Sequence, residues 1–346
     1  MIEEDIYTYR PWPWLSKSAI ISDDFCEWLF KLRYIDKIDV GVGLSAKTGT
    51  NMHVTVARFF EVLDIPQLTK IPINYEEPIT DSRVFHFFMK TVFEIIPEDS
   101  RDYQVYKTIL TNFAVMEADH WVGLNEEHNG NIEKVLKYFI PLSLEKYTEV
   151  YNVMLYGTLD RRNKVYTPKR DFTEIYDYKT GHVPKAVKEG LKDIGNEFSW
   201  DLPTNKMFEL HFYILLDICR RGYTIHSDLV DYITKPVNFY PDAPVPKVDS
   251  YFFNTKGEPY DFTKDYRVGI IYLGDKIGPL VPKKKSGKRS MTAVFRRINY
   301  IRGKVHRNHP WQKQINYWKC KNCSITQQCL SELEMDEMKL EPKGNT

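Results

Sequence analysis

Apolar residues in this chain recur at two periods. From Phe172 to Thr180 apolar and polar positions alternate, the spacing of a strand with two unlike faces, so Asp177 and Lys179 share one face and Tyr176 and Tyr178 the other. Val153 to Arg161 is a second β-rich run containing Asp160, and the polar, Pro-containing stretch between the runs predicts a hairpin-like connection that sets Asp160 beside Asp177. Tyr266 to Leu273 reads as a further strand. Elsewhere the period is helical. Ile20, Ile21, Phe25, Leu29 and Leu32 predict a helix capped by Ser16 or Ser18, with Cys26 in its interior. A Gly- and Ser-rich loop over 41–49 precedes a helix from Met52 to Leu63, capped by Thr50 or Asn51, with His53 in its first turn. Phe85, Phe87, Phe88, Val92 and Phe93 make 64–140 a mostly helical insertion, in which Asp119, His120, Glu126, Glu127 and His128 read as solvated loop residues. Pro203 to Arg221 predicts a long helix with Glu209 and Tyr213 on one face and Cys219 in the core.

Charge changes the picture only through its distribution. Among 346 residues, 48 Lys and Arg nearly balance 47 Asp and Glu. Yet from Lys276 to Ser331 there is no acid, while Lys283, Lys284, Lys285, Lys288, Arg289, Arg296, Arg297, Arg302, Lys304 and Arg307 crowd together with Phe295, Tyr300, Trp311, Tyr317 and Trp318. Such a run offers phosphate contacts and flat surfaces for unpaired bases. The N-terminus begins acidic, without the apolar core of a secretory signal, and no apolar run reaches membrane-spanning length, so the expectation is a cytoplasmic protein with no membrane partner. Five cysteines do not make a secreted disulfide framework; three of them, in the spacing Cys-x2-Cys-x5-Cys, suggest metal ligation.

Two constellations carry chemistry. Asp160, Asp177 and Lys179 on adjacent strands bring two carboxylates and an ammonium into one small space, which is costly unless a divalent cation neutralises the acids. Oxygen ligands suit magnesium or manganese, and Lys179 can then orient a water or stabilise charge on a phosphate. Cys320, Cys323 and Cys329 need a fourth ligand. Zinc could take His306 or His309, whereas an iron–sulfur cluster would take a fourth cysteine, of which Cys26 and Cys219 remain.

Gly157-x-x-Asp160, followed after a turn by Asp177-Tyr178-Lys179-Thr180-Gly181, resembles the core of the PD-(D/E)XK nuclease superfamily, and of its RecB-like branch in particular. Gly49-x-x-x-His53 resembles that branch's entry into a helix bearing a metal-ligating histidine. Glu145, with Glu149 as competitor, stands where the branch carries an acid on its first core strand, and Tyr213 keeps its place although Glu209 replaces the usual Gln. One cysteine upstream and the Cys-x2-Cys-x5-Cys group downstream resemble the AddB-type and CRISPR-associated members.

The resemblance implies an α/β fold, a restriction-endonuclease-like mixed β-sheet flanked by helices, with a helical insertion and a cluster-bearing terminal lobe. It implies a metal held by His53, Asp160, Asp177 and the main-chain carbonyl of Tyr178, with Lys179 and Tyr213 also catalytic, and a 4Fe–4S cluster on Cys26, Cys320, Cys323 and Cys329. The function implied is a Mg- or Mn-dependent deoxyribonuclease, an exonuclease on single-stranded or end-bearing DNA, working in repair, recombination or CRISPR-type processing with a helicase or CRISPR-type protein partner. The rival is a non-catalytic single-stranded nucleic-acid-binding protein with a structural Fe–S or zinc site. The expected organisation is one elaborated domain: N-terminal helices over 1–63, the insertion over 64–140, the catalytic core over 141–240 and the basic lobe over 241–346. Lys283, Lys284, Lys285, Lys288, Arg289, Arg296 and Arg297 are its expected nucleic-acid contacts.

Overall fold

A computed structural model describes residues 13–38, 44–96, 103–182, 204–235, 243–276 and 278–313, together with 320, 323, 325, 326 and 329. The described chain opens with a two-residue strand, β1 (Leu15–Ser16), and helices α1 (Lys17–Phe25) and α2 (Glu27–Phe30), the latter extended by a π-helical turn over Lys31–Ile35. Ser16 caps α1 as expected, its hydroxyl accepting from the Ala19 N–H at 3.1 Å. Cys26 is not inside a helix. Its extended backbone (φ −163°, ψ 120°) ends α1 and starts α2. The reason is that the periodic run serves two clusters: Ile20 packs into the sheet's core, while Leu29 and Leu32 pack with Ile325, and the chain turns between them.

Helix α3 (Leu44–Val62) begins well before Met52, so Gly49 is helical and His53 lies in the body of the helix, not in its first turn. Burial of Met52, Val56 and Phe59 along one face outweighs the ~1 kcal/mol that a glycine costs in a helix interior. The expected insertion is helical: α4 (Ile65–Leu68), α5 (Arg83–Glu94), α6 (Tyr103–Glu127) and α7 (Ile132–Phe139). Asp119, His120, Glu126 and Glu127 belong to α6 rather than to a loop, and His128 directly after it is buried. Phe113, Ala114, Ala118, Trp121 and Leu124 anchor α6 in the core, so the polar residues ride on its other sides.

The remaining elements are β2 (Ser143–Val150), β3 (Leu155–Val165), β4 (Phe172–Lys179), α8 (Thr204–Arg220), β5 (Thr224–Ile225), α9 (Ser227–Thr234), β6 (Phe252–Phe253), β7 (Pro259–Tyr260), α10 (Phe262–Asp265), β8 (Tyr266–Tyr272), β9 (Lys283–Lys285) and α11 (Lys288–His306). The main sheet is mixed. β3 is antiparallel to β2 and β4, β4 is parallel to β8, β8 is antiparallel to β9, and β1 runs parallel to the start of β3. The expected hairpin is present, paired from Arg161↔Tyr176 to Val165↔Phe172.

Alternation on the buried strands builds a three-layer packing. Ile175, Val268, Ile270 and Tyr272 pack against α8 and α11, whereas Tyr176, Tyr178, Ile271 and Leu273 pack against α3, α5, α6 and α7. β8, β9 and α11 therefore complete the same sheet and core as the hairpin. Among the described residues, no helix is long and apolar enough to cross a membrane.

Candidate active site

The site forms where the hairpin's pairing ends. One step beyond Arg161 and Tyr176, the last paired residues, stand Asp160 and Asp177. Their neighbour on β2 is Glu145, which takes a left-handed backbone (φ +42°) in mid-strand. Leu144 pairs with Arg161 and Lys146 with Leu159, but Glu145 and Asp160 between them are not paired. A non-glycine residue pays about 1–2 kcal/mol for this conformation. Here it accompanies a carboxylate aimed at His53, whose Nδ1 lies 2.7 Å from Glu145 Oε1 and 3.8 Å from Asp160 Oδ2. Ligand atoms of His53, Glu145 and Asp160 all lie within 4.8 Å of one another, a spacing one metal ion could bridge. Glu149, the competitor, instead accepts from the Tyr147 hydroxyl at 2.7 Å.

Asp160 is held from two layers. Its Oδ2 accepts from the Tyr178 N–H at 3.0 Å and its Oδ1 from the Tyr213 hydroxyl at 3.1 Å. Tyr213 on α8 is thus a buried partner of the site. Asp177 lies between two ammonium groups: Lys17 Nζ is 2.8 Å from its Oδ1, and Lys179 Nζ is 2.5 Å from its Oδ2. Glu209, one turn before Tyr213, has Oε1 2.5 Å from Lys206 Nζ and Oε2 3.6 Å from Lys179 Nζ. Tyr178 turns its ring to the opposite layer, edge-on to His53 with centroids 5.9 Å apart, and its hydroxyl accepts from Arg161 at 3.0 Å. His53, Glu145, Asp160, Lys17, Lys179, Lys206, Glu209 and Tyr213 line a cleft of about 530 Å³ reached also by Ser16, Gly49 and Gly157, with Asp177 buried behind them. Gly157 is there for space, since a Cβ at that position would stand 3.0 Å from Leu216 of α8.

Electrostatics follow from burial. Burial works against the imidazolium of His53, yet the charge of Asp160 and the hydrogen bond that His53 donates to Glu145 outweigh it and raise the group to about 9. Burial raises Asp160 and Glu145, each opposed by the charge on His53. Asp177 goes the other way: despite burial, Lys17 and Lys179 hold it well below the usual carboxylate range. Four carboxylates, Glu145, Asp160, Asp177 and Glu209, are thus matched by His53, Lys17, Lys179 and Lys206.

The expected residues His53, Asp160, Asp177, Lys179 and Tyr213 come together. Lys17 was not anticipated, because a lysine between two cap-forming serines has no feature that marks it as part of a site. Glu145 was marked only by its place before the hairpin.

The cysteines lie apart from the cleft, around a small apolar cluster. Cys26, Cys323 and Cys329 pack against Leu29, Leu32 and Ile325. The Cys323 N–H donates to the Cys320 carbonyl at 3.0 Å. Burial pushes the thiols of Cys323 and Cys329 up, and the nearby thiols of Cys26 and Cys320 add to this. Cys26 thus meets the terminal group despite its distance in sequence. His309 Nε2 lies 3.4 Å from Glu27 Oε2, and His306 is exposed at the end of α11. Cys219 packs against the main core, its thiol pushed up to about 12 by burial.

The basic run divides, and much of it is not available to a nucleic acid. Lys283 Nζ lies 3.1 Å from Glu174, and Arg297 pairs with Asp23 at 2.8 Å and also with Asp24. Lys304 is fully buried between Asp23 and Glu27, at 2.7 Å from each. Arg302 donates to the carbonyls of Ile233 and Val153, both at 2.6 Å, and of Met154 at 3.0 Å. Phe295 is core, and Trp311 packs on Phe30 with centroids 5.5 Å apart, so neither ring is a free stacking platform. The physical reason is that α11 is a core helix whose charges find acids and carbonyls on distant segments. Lys285, Lys288 and Arg289 remain exposed, Lys284 and Arg296 are half-buried, and Tyr317 and Trp318 lie outside the described residues.

The family model of the PD-(D/E)XK nuclease superfamily matches residues 15–216, more than half of the chain, from β1 into α8, and includes every residue that lines the cleft. The chain belongs to this superfamily, a group of nucleases that use divalent metals. No curated protein matches it significantly.

Proposed function

We propose that this protein is a Mg- or Mn-dependent deoxyribonuclease of the RecB-like branch, acting on single-stranded or end-bearing DNA. The observation that carries the reading is the convergence of His53, Glu145 and Asp160 within 4.8 Å, beside Asp177 and Lys179 on the adjoining strand. The donor set fits a hard cation: carboxylate oxygens and one imidazole, with Glu209 Oε2 buried and accepting no hydrogen bond. His53, Glu145 and Asp160 would hold the metal, joined by Asp177 and the Tyr178 carbonyl. Bound there, a divalent cation would lower the pKa of a water and neutralise charge on the phosphate. Tyr213 fixes the rotation of Asp160 through its hydroxyl, and Lys179 is positioned to orient the attacking water and to stabilise negative charge as it develops. The deoxyribonuclease reading is tested by titrating magnesium and manganese against labelled linear, end-blocked and closed-circular single strands. Cleavage restricted to free ends supports an exonuclease, digestion of closed circles refutes a strict one, and intact DNA at every metal concentration favours the binding-protein alternative.

The second centre is read as a 4Fe–4S cluster on Cys26, Cys320, Cys323 and Cys329. The packing of Cys26 against the residues around Cys323 and Cys329 supports it over a zinc site completed by a histidine, since His309 is engaged with Glu27. Protein purified without oxygen should then be brown, with iron and sulfide in near-equal amounts, whereas a colourless protein with stoichiometric zinc would overturn the cluster. The exposed bases Lys285, Lys288 and Arg289 are the proposed phosphate contacts. Action in repair, recombination or CRISPR-type processing, with a helicase or CRISPR-type partner, belongs to this same reading.

A further inference from the structure

Lys17 enters the carboxylate centre from outside the hairpin. Its backbone is pinned twice: Leu15 and Ser16 pair with Leu155 and Tyr156 at the start of β3, and the Ser16 hydroxyl caps α1. Only the long side chain is free to choose a partner. Its ammonium lies over Tyr213, with Nζ 4.2 Å from the ring centroid, and at the same time reaches Asp177 Oδ1 at 2.8 Å. The other Asp177 oxygen is taken by Lys179 at 2.5 Å. Both oxygens therefore face ammonium groups, and a cation that joins Asp177 from the His53–Glu145–Asp160 cluster competes with them for its charge. Lys179 belongs to the same strand face as Asp177, whereas Lys17 belongs to another element and already has the Tyr213 ring as a second partner, which it keeps if Asp177 is lost.

We propose that Lys17 is a resident counter-cation of the centre, competing with the divalent metal for Asp177 and turning toward the substrate phosphate when the metal displaces it. This rests on the nuclease reading above. The device keeps a cluster of buried carboxylates neutralised before metal arrives, and it leaves a released positive charge inside the cleft, where an anionic backbone is the partner that recovers it.

Manganese binding to the full chain without nucleic acid is the test, followed by the electron paramagnetic resonance signal of free manganese, with circular dichroism to check folding. Lys17→Met, which keeps the stem and removes the charge, should bind manganese about tenfold tighter or more, since a positive charge beside the ion is gone. Lys17→Arg should bind as the wild type does. Unchanged or weaker binding by folded Lys17→Met overturns the proposal. Asp177→Asn separates it from the reading beneath: loss of manganese binding supports the metal centre, while wild-type affinity in that variant overturns the centre and the proposal together. With manganese and single-stranded DNA both present, Lys17→Met should lose the tightening of DNA binding that metal brings to the wild type; equal tightening in both proteins refutes the phosphate role.

Discussion

Lys304 gives the sharpest test of how the basic run is used. Its ammonium is fully buried, bonded to Asp23 Oδ1 and Glu27 Oε1 at 2.7 Å each, and it ties α11 to the α1–α2 junction that carries Cys26. Lys304→Met removes the charge and leaves the stem, so little packing is lost. Breaking a buried pair from one side costs about 3–5 kcal/mol, because the surviving carboxylate is left uncompensated. Asp23 keeps Arg297 at 2.8 Å and Glu27 is partly exposed, so the lower end, about 3 kcal/mol, is expected. On thermal melting of a chain this long this amounts to about 4 °C. Asp23→Asn and Glu27→Gln added to Lys304→Met neutralise the whole cluster, while Arg297 keeps Asp24, and should recover most of the loss. Urea denaturation of wild type, single and triple variants measures both effects. A single-variant loss below about 1 kcal/mol, or a triple variant as unstable as the single, would refute the reasoning. Nucleic-acid affinity of folded Lys304→Met should match wild type.

Three further outcomes follow from the same geometry. His211 is wholly buried, with Nδ1 2.7 Å from the Met207 carbonyl and Nε2 accepting from the Gly287 N–H at 3.0 Å, and burial lowers its pKa to about 4. Its neutral form stabilises the fold by an amount complete above the unfolded value near 6.5 and lost as pH falls toward 4, roughly 3 kcal/mol, so the stability gap between wild type and His211→Gln should shrink over that window; a gap equal at both ends would exclude it. Cys26→Ala should bleach and destabilise an iron-loaded protein, while Cys219→Ala costs only ~1 kcal/mol of packing; iron retained by Cys26→Ala would remove Cys26 from the ligand set. Lys288→Ala and Arg289→Ala should weaken DNA binding alike for all sequences, each reducing the salt-dependence slope by about 1 without loss of stability, as fluorescence anisotropy at several salt concentrations would report.

The hairpin was legible because β4 is buried on both faces with opposite chemistry, so period-two alternation alone separates Asp177 and Lys179 from Tyr176 and Tyr178. Tyr213 was legible only through the resemblance, since helical spacing from Glu209 puts the two on one face but does not mark either as part of a site. What local pattern missed depends on contacts between distant segments. Lys17 reaches Asp177 across 160 positions, and Lys304 reaches Asp23 across 281, so an acid-free stretch read as a nucleic-acid surface while its acids lay at the other end of the chain. Glu145 was obscure for another reason: its left-handed backbone interrupts β2 at the point where the side chain must turn toward His53. Cys26 sat in an unbroken apolar period, which hid a helix break that tertiary packing imposes.

Cleavage of labelled single-stranded DNA by the wild type and by Asp177→Ala, over a manganese titration and with DNA affinity measured in parallel, tests the central claim most directly. Metal-dependent cleavage by the wild type, abolished in the variant while affinity is kept or raised as negative charge leaves the cleft, is the predicted result. Cleavage by Asp177→Ala at the wild-type rate would contradict it.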